Sequence, residues 1–190
     1  MLPKLFHTRR FSDGRGWFSE TYQAQRYADA GVPDIFVQDN QSRSTDRGTI
    51  RGLHFQTPPF AQAKLVRCGA GAVWDVAVDI RTGSPTFGHW VGATLTAAAG
   101  EQLYVPVGFA HGFVTLTDDA ELLYKVSSPY APSAEGAIAW DDPDVKITWP
   151  LDGVSPTLSD KDSIAPRLAE LAAIFAYDGV PLGALEEIML

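Results

Sequence analysis

Residues 73–80, Val-Trp-Asp-Val-Ala-Val-Asp-Ile, carry the clearest structural signal in this chain. Two faces alternate along the stretch, Trp74, Val76, Val78 and Ile80 on one and Val73, Asp75, Ala77 and Asp79 on the other. This period of two is typical of a β-strand. Neighbouring segments predict further strands at Asp34–Gln38, Trp90–Leu95, Gln102–Val105, Gly112–Leu116 and Glu121–Val126. Many short strands separated by turns, without alternating helices, favour an antiparallel sandwich or barrel over a parallel α/β sheet.

Short helices are predicted at both ends of this β-rich region. Residues 22–30 precede Gly31 and Pro33, which would end a helix there. Residues Ile164–Ala176 are apolar at helical spacing, with Pro166 suited to a first turn, and we expect Leu168, Leu171 and Phe175 to pack on the barrel. We therefore predict a single domain over residues 1–190, with residues 163–190 as a C-terminal helical extension.

Composition limits the class of protein and of partner. The formal net charge of -8 argues against a nucleic-acid surface, which needs a basic stripe, although a few cations in a cleft can still attract an anionic small molecule. No stretch approaches the ~20 apolar residues of a membrane span, and no signal peptide is recognisable, so we expect a cytoplasmic protein without membrane contact. The single cysteine, Cys68, excludes an internal disulfide and is expected to be an inert core thiol.

Two histidines lie in glycine-rich contexts at strand edges. His54 stands in Arg51-Gly-Leu-His54-Phe-Gln56, and His111 in Pro106-Val-Gly-Phe-Ala-His111-Gly-Phe113. The segment from Gly100 to His111 resembles the second sequence motif of the cupin superfamily, a tight turn that delivers a histidine into a barrel mouth. The His-x-His and following Glu of metal-binding cupins are missing here, and a transition metal usually needs three or more protein ligands. We therefore predict neither a metal nor another cofactor.

From Phe11 to Asp162 the sequence resembles the dTDP-4-dehydrorhamnose 3,5-epimerase family, motif after motif and in order. The matching motifs include Asp13-Gly-Arg15-Gly-Trp-Phe18-Ser-Glu20, Phe36-Val-Gln38-Asp-Asn40-Gln-Ser, Arg51-Gly-Leu-His54-Phe-Gln56, Lys64-Leu-Val-Arg67, Leu123-Tyr124-Lys125, Glu135-Gly136 and Leu158-Ser-Asp-Lys-Asp162. So many ordered matches make the resemblance specific. It implies an all-β dominated fold, a cupin-type antiparallel β-barrel (jelly roll), and a homodimer in which N-terminal strands exchange between subunits.

The resemblance also implies a role for each matched residue. His54 corresponds to the general base, Asp162 to its dyad partner, Tyr124 to the general acid on the opposite face, and Lys64 to the cation near the C4 oxygen. Positions that hold the nucleotide, the diphosphate or the sugar are matched by Arg15, Glu20, Gln38, Asn40, Arg51, His111, Glu135 and Lys161. Phe18 and Tyr130 are candidate stacking rings for the base, although family members often carry two tyrosines where this chain has Pro129-Tyr130.

The implied activity is inversion of C3 and C5 in dTDP-4-dehydro-6-deoxy-D-glucose, on the path to dTDP-L-rhamnose. The 4-keto group acidifies both positions, so a base on one face and an acid on the other can invert the carbon. Histidine has a suitable pKa, and a carboxylate can fix its tautomer. A lysine can offset the charge that develops on O4. The ketone is already in the substrate, so no cofactor is required.

Each of these residues also has a structural interpretation. Tyr124 could be core, Lys64 a solvated strand edge, and Asp162 the cap of a following helix. Asp75 either orients a histidine or meets only a backbone donor, and Phe18 either stacks on a base or fills the core. Three other functions remain open: a C3-only or C5-only epimerase of another dTDP-4-keto-deoxysugar, a non-catalytic sugar-binding cupin, and a metal-dependent cupin enzyme.

Overall fold

A computed structural model describes all 190 residues. Most of the regular secondary structure consists of short strands. The strands are β1 Lys4–His7, β2 Phe11–Asp13, β3 Gly16–Phe18, β4 Gln38–Ser44, β5 Ile50–Gln56, β6 Lys64–Ala70, β7 Ala72–Asp79, β8 Arg81–Thr82, β9 Trp90–Thr96, β10 Glu101–Val105, β11 Phe109–Thr115, β12 Ala120–Val126, β13 Glu135–Ala137, β14 Phe175–Ala176 and β15 Glu186–Met189. The helices are α1 Ala24–Asp29 and α2 Asp160–Ser163, with 3₁₀ turns at Pro132–Ala134 and Leu168–Glu170. None of the helices has the length and apolar character needed to cross a membrane.

Two sheets carry the architecture. The six-stranded sheet has the order β15-β1-β10-β6-β12-β4, and the five-stranded sheet the order β13-β5-β11-β7-β9. All neighbours are antiparallel except β1 and β15, which run parallel. This arrangement confirms the predicted β-dominated, cupin-type fold.

The main core lies between the two sheets. Val66, Leu103 and Leu122 of the six-stranded sheet pack with Val73 and Phe113 of the five-stranded sheet. Cys68 belongs to the same core, as expected, and burial raises the pKa of its thiol. The alternation predicted for residues 73–80 is confirmed, because Val73 and Ala77 face this core while Val76, Val78 and Ile80 join a second core on the other face.

The outer faces of the two sheets are covered by different parts of the chain. On the five-stranded sheet, Leu53 and Val78 pack with Leu168, Phe175 and other residues of the C-terminal region. On the six-stranded sheet, Phe6 and Leu65 pack against Tyr27 of α1 and its neighbours. The helix predicted at residues 22–30 is confirmed in a shorter form, capped by the Gln23 side chain, which accepts from the backbone N–H of Arg26.

The predicted helix over Ile164–Ala176, and with it the helical extension over residues 163–190, is wrong. Part of the backbone in this region bonds to the body of the protein: the N–H of Ala139 donates to Pro166 O at 2.8 Å, and the N–H of Leu168 donates to Asp142 Oδ2 at 2.7 Å. A single 3₁₀ turn and the short strands β14 and β15 result. The expected packing of Leu168, Leu171 and Phe175 is confirmed.

The strand predicted at Asp34–Gln38 is also displaced. The observed strand β4 begins at Gln38, opposite Val126, the last residue of its partner β12. Ile35 and Val37 precede the paired region and are exposed. Strand β4 is polar along its whole length, so its sequence shows no alternation of apolar residues that would predict a strand. It is polar because it lines a cavity and not a core.

Candidate active site

A cavity opens between the two sheets and has two lobes that share His54, Lys64 and Tyr124. The histidine lobe has a volume of about 240 Å³ and is lined by Ser42, Arg51, His54, Lys64, His111, Phe113, Leu122, Tyr124, Ser159, Lys161 and Asp162. The glutamine lobe has a volume of about 330 Å³ and is lined by Gln38, Asn40, His54, Phe55, Gln56, Gln62, Lys64, Tyr124, Tyr130 and Glu135. Most of the residues predicted from the sequence therefore meet at one place.

Glycines bring the two histidine-bearing strands close together. His54 of β5 lies directly opposite His111 of β11, so both side chains project from the same face of the sheet. Beyond this pair the register shifts between His111 and Phe113. A Cβ at Gly52 would lie 2.6 Å from Gly112 Cα, and Gly52 has a φ of +120°. Only glycine at position 52 fits this approach, which aligns both histidines on the cavity.

His54 and Asp162 form a dyad. His54 Nε2 lies 2.6 Å from Asp162 Oδ1, and the carboxylate is buried. Burial alone would raise the pKa of Asp162, but hydrogen bonds with His54, Ser159 and the Gly52 backbone, together with the charge of His54, lower it below its ordinary value. An ionised carboxylate can only accept, so Nε2 carries the proton and Nδ1 is the basic nitrogen. The helix-cap alternative for Asp162 is wrong, because Asp162 lies inside α2 and no α-helix follows it.

Tyr124 faces the dyad from the opposite sheet. It lies on β12, between β6 and β4, and lines both lobes of the cavity while its half-buried ring also packs against the main core. Burial raises the pKa of its hydroxyl, and the positive charge of Arg51 partly opposes the change. The hydroxyl is therefore protonated at neutral pH and can act as a proton donor.

Lys64, His111 and Asp75 form a buried cluster of ionisable side chains beside the dyad. His111 Nε2 lies 2.9 and 3.0 Å from the two carboxylate oxygens of Asp75, so Asp75 does orient a histidine. Burial lowers the pKa of His111, although the charge of Asp75 opposes this. Burial also lowers the pKa of Lys64 to about 8, again against the attraction of Asp75. Lys64 is 9% exposed, so its interpretation as a solvated strand edge is wrong.

The candidate binding residues fall into two groups. Gln38, Asn40, Arg51, His111, Tyr130, Glu135 and Lys161 line the cavity. The structure does not bring Arg15, Phe18 and Glu20 to it. Arg15 pairs with Asp13 at 2.7 Å within the β2–β3 hairpin, Glu20 pairs with Arg26 at 2.9 Å, and Phe18 is 68% exposed.

Four polar lining residues were missed by the sequence interpretation: Ser42, Gln56, Gln62 and Ser159. Ser42 follows Gln38 and Asn40 at a period of two, so a strand placed at residues 38–44 would have found it. Gln56 lies two residues from His54 and faces the same cavity. Gln62 stands in a loop where no pattern singles it out. No group of three or more His, Cys, Asp or Glu side chains is arranged to hold a metal ion.

Known proteins share the sequence of this chain over most of its length. A family model for dTDP-4-dehydrorhamnose 3,5-epimerase matches residues 3–170. The chain is 51% identical over 175 residues to the dTDP-4-dehydrorhamnose 3,5-epimerase of Sinorhizobium fredii, covering 92% of this chain and 89% of the relative.

Two solved structures extend the comparison. A dTDP-6-deoxy-D-glucose-3,5-epimerase of Legionella pneumophila in complex with dTDP-4-keto-L-rhamnose is 45% identical, with a TM-score of 0.89 and coverage of 93% of this chain and 94% of that one. A 3'-monoepimerase of Streptomyces bikiniensis in complex with dTDP-quinovose is 38% identical, with a TM-score of 0.85 and coverage of 92% and 89%. A family model spanning most of the chain, and relatives aligned over nearly all of it, place this protein in the dTDP-4-dehydrorhamnose 3,5-epimerase family.

Proposed function

We propose that the protein inverts C3 and C5 of dTDP-4-dehydro-6-deoxy-D-glucose, giving the L-configured 4-keto sugar on the path to dTDP-L-rhamnose. The observation that carries the proposal is the placement of a base and an acid on opposite walls of one cavity. The His54–Asp162 dyad stands on one side, and Tyr124 on the facing sheet. The Legionella pneumophila relative, which holds dTDP-4-keto-L-rhamnose, supports this choice of ligand.

In the proposed mechanism, His54 Nδ1 removes the proton from the carbon beside the ketone. The C–H electron pair forms the enolate, with negative charge on O4 that the ammonium of Lys64 stabilises. Asp162 stabilises the imidazolium that results. The Tyr124 hydroxyl then donates its proton to the opposite face of the carbon, which inverts it. His54 then releases its extra proton to solvent, and the Tyr124 phenolate takes up a proton from solvent, which restores both groups. They can then act in the same way at the second carbon after the sugar turns in the cavity.

The remaining polar residues of the cavity suit a nucleotide diphosphate. Arg51 and Lys161 are cations in the histidine lobe, and a guanidinium offers charge-assisted hydrogen bonds to phosphate oxygens. Tyr130 stands at the glutamine lobe with 55% of its surface exposed, available to stack on a base. A metal and a cofactor have no part in the proposal, and activity is expected to survive exhaustive EDTA treatment.

A homodimer is also part of the proposal. All six residues of β2 and β3 are exposed, including the aromatic side chains of Phe11, Trp17 and Phe18. Strand β4 is an open edge of the six-stranded sheet, next to the cavity. An exposed aromatic hairpin and an open sheet edge both favour association. In the proposed dimer, the hairpin of one subunit brings Arg15, Phe18 and Glu20 to the partner's cavity.

We place the enzyme in the cytoplasm, since its only cysteine is a buried thiol that needs no oxidising compartment.

Proton NMR of the dTDP-4-keto substrate with enzyme in D₂O tests the proposal. We expect deuterium to enter both C3 and C5 and the L-configured keto sugar to form, at rates well above those of an enzyme-free control. If dTDP binds but neither carbon exchanges, the protein is a sugar-nucleotide binding protein and the catalytic assignment is wrong.

A C3-only epimerase is the second candidate function. The observation that favours it is the similarity to the Streptomyces bikiniensis 3'-monoepimerase, whose structure superposes over most of the chain. Exchange at C3 without exchange at C5 in the same NMR experiment would select this candidate.

A further inference from the structure

Three glutamine side chains from separate parts of the chain hold residues 128–131, which we call the Tyr130 segment. Gln62 Nε2 donates to Ser128 O at 2.7 Å, and the backbone N–H of Tyr130 donates to Gln38 Oε1 at 3.1 Å. Gln56 contributes twice: its Nε2 donates to Pro129 O at 3.2 Å, and its Oε1 accepts from the N–H of Ala131 at 2.9 Å. All three glutamines line the glutamine lobe.

Gln56 is the centre of this arrangement. Its side chain is only 4% exposed, and its Nε2 also donates to Phe60 O at 2.7 Å. One amide therefore joins the Phe60 turn to the Tyr130 segment, with both amide hydrogens and the oxygen in use. Leaving a buried amide without hydrogen-bond partners is unfavourable, because the amide has already lost its bonds to water. These contacts therefore fix the Phe60 turn and the Tyr130 segment.

The Tyr130 segment has no strand ladder to hold it. Strand β12 ends at Val126 and β13 begins at Glu135. Backbone groups of four consecutive residues, Ser128 to Ala131, are met by glutamine side chains instead. The position of the Tyr130 ring therefore depends on those side chains, while the ring itself stays exposed at the lobe.

We propose that Gln56, assisted by Gln62, is a positioning residue for nucleotide binding: it holds Tyr130 in place for the base of the dTDP moiety before the ligand arrives. The inference rests on the proposed function, because it presumes a ligand that carries a base. Gln56 acts through Tyr130 and not on the reacting carbons. Its loss should therefore raise KM and the Kd for dTDP while leaving kcat nearly unchanged, since pre-organisation lowers the cost of binding.

The variants are Gln56→Met and Gln62→Met, which keep side-chain length but remove the hydrogen bonds. Gln25→Met is the matched control, because Gln25 lies exposed on α1 and bonds only to Asp29. Calorimetric titration should give a Kd for dTDP raised about tenfold in Gln56→Met and about threefold in Gln62→Met, with the control unchanged. The value of kcat should stay within about twofold of the parent.

A double-mutant cycle with Tyr130→Ala separates positioning from general damage. If Gln56 acts through Tyr130, Gln56→Met should have little further effect on dTDP affinity once the ring is gone. Additive losses in the double variant, or parent-like affinity in Gln56→Met, would overturn the inference. Should Gln56→Met fail to fold, the same cycle with Gln62→Met decides. Failure of the parent itself to bind dTDP would instead refute the proposed function.

Discussion

At the scale of single residues, proton removal and proton return are assigned to opposite walls of the cavity. His54 is held by Asp162 in a form whose basic nitrogen is Nδ1, and Tyr124 keeps its proton because burial raises the pKa of its hydroxyl. The two groups are therefore suited to different half-reactions, which their variants should separate.

His54→Ala should abolish deuterium exchange at both carbons, because no proton leaves the sugar. Tyr124→Phe should impair inversion more than exchange, since His54 can still remove a proton and return one to the same face. Each group is expected to be worth about 10²–10⁴-fold in rate. NMR in D₂O measures exchange and inversion separately. Near-parent product formation by both variants would contradict these roles.

The buried ammonium of Lys64 predicts opposite effects of pH on activity and on stability. Its pKa is about 8 in the folded protein, against an ordinary value of 10.5. The charges of Asp75 and His111 act on it, and His54 and Tyr124 line the same two lobes of the cavity. Above pH 8, Lys64 loses the charge that stabilises the enolate, so kcat/KM should fall.

Stability should change in the other direction. Between pH 8 and 10.5 the unfolded chain binds more protons at Lys64 than the folded chain does. The free energy of unfolding therefore increases as the pH rises through this range. Chemical denaturation of the parent and of Lys64→Met across this range isolates the effect. The difference in stability between them should shift in favour of the parent as pH rises. A difference independent of pH would contradict the lowered pKa.

At the scale of elements, several strands that contribute apolar residues to the cores could be predicted from the sequence, whereas the polar strand β4 at the cavity could not. Strand β7 was found because its residues alternate, and β9, β10, β11 and β12 were found as short segments between turn signals. Strand β4 was misplaced because one of its faces carries Gln38, Asn40 and Ser42 toward the cavity. The C-terminal region was wrongly predicted as helix because its apolar spacing serves packing on the five-stranded sheet, a tertiary contact that periodicity does not reveal.

The last strand of the chain predicts a contrast between adjacent residues. Strand β15 pairs with β1, and Ile188 packs against the core beneath α1, while Met189 is 79% exposed. Ile188→Lys should lower the free energy of unfolding by about 1–3 kcal/mol, and Met189→Lys should change it by less than about 0.5 kcal/mol. Urea denaturation measures both. Because β15 is remote from the cavity, kcat should be unaffected; equal destabilisation by the two variants would count against the packing described.

At the scale of the whole molecule, the site depends on distant parts of the chain and on local charge. His54 and Asp162 are 108 residues apart in sequence, so no spacing rule could place them together. The ordered family motifs predicted the pair, and the fold brings the two side chains into contact. A chain of net charge -8 still gathers Arg51, Lys64 and Lys161 around one lobe. A local group of cations can attract an anionic substrate despite an acidic exterior.

The proposed dimer predicts complementation between inactive subunits. His54→Ala lacks the base, and Arg15→Ala lacks a hairpin residue that would serve the partner's cavity. When the two are mixed and allowed to exchange subunits, each mixed dimer contains one cavity with both residues intact, so about a quarter of all sites should recover. A turnover assay before and after mixing measures this. No recovery, in a mixture shown by mass spectrometry to contain mixed dimers, would mean that the hairpin does not serve the partner.

Because Cys68 is buried, the β2–β3 hairpin can be labelled selectively for spectroscopy. A thiol enclosed in the core, with a raised pKa, presents little thiolate to an alkylating reagent under native conditions. A cysteine introduced at the exposed Ser12 of β2 would then be the one site to take a maleimide or a nitroxide spin label, with no need to replace the native residue. Pulsed electron resonance between the two labels of a dimer would report where each hairpin lies relative to the other subunit.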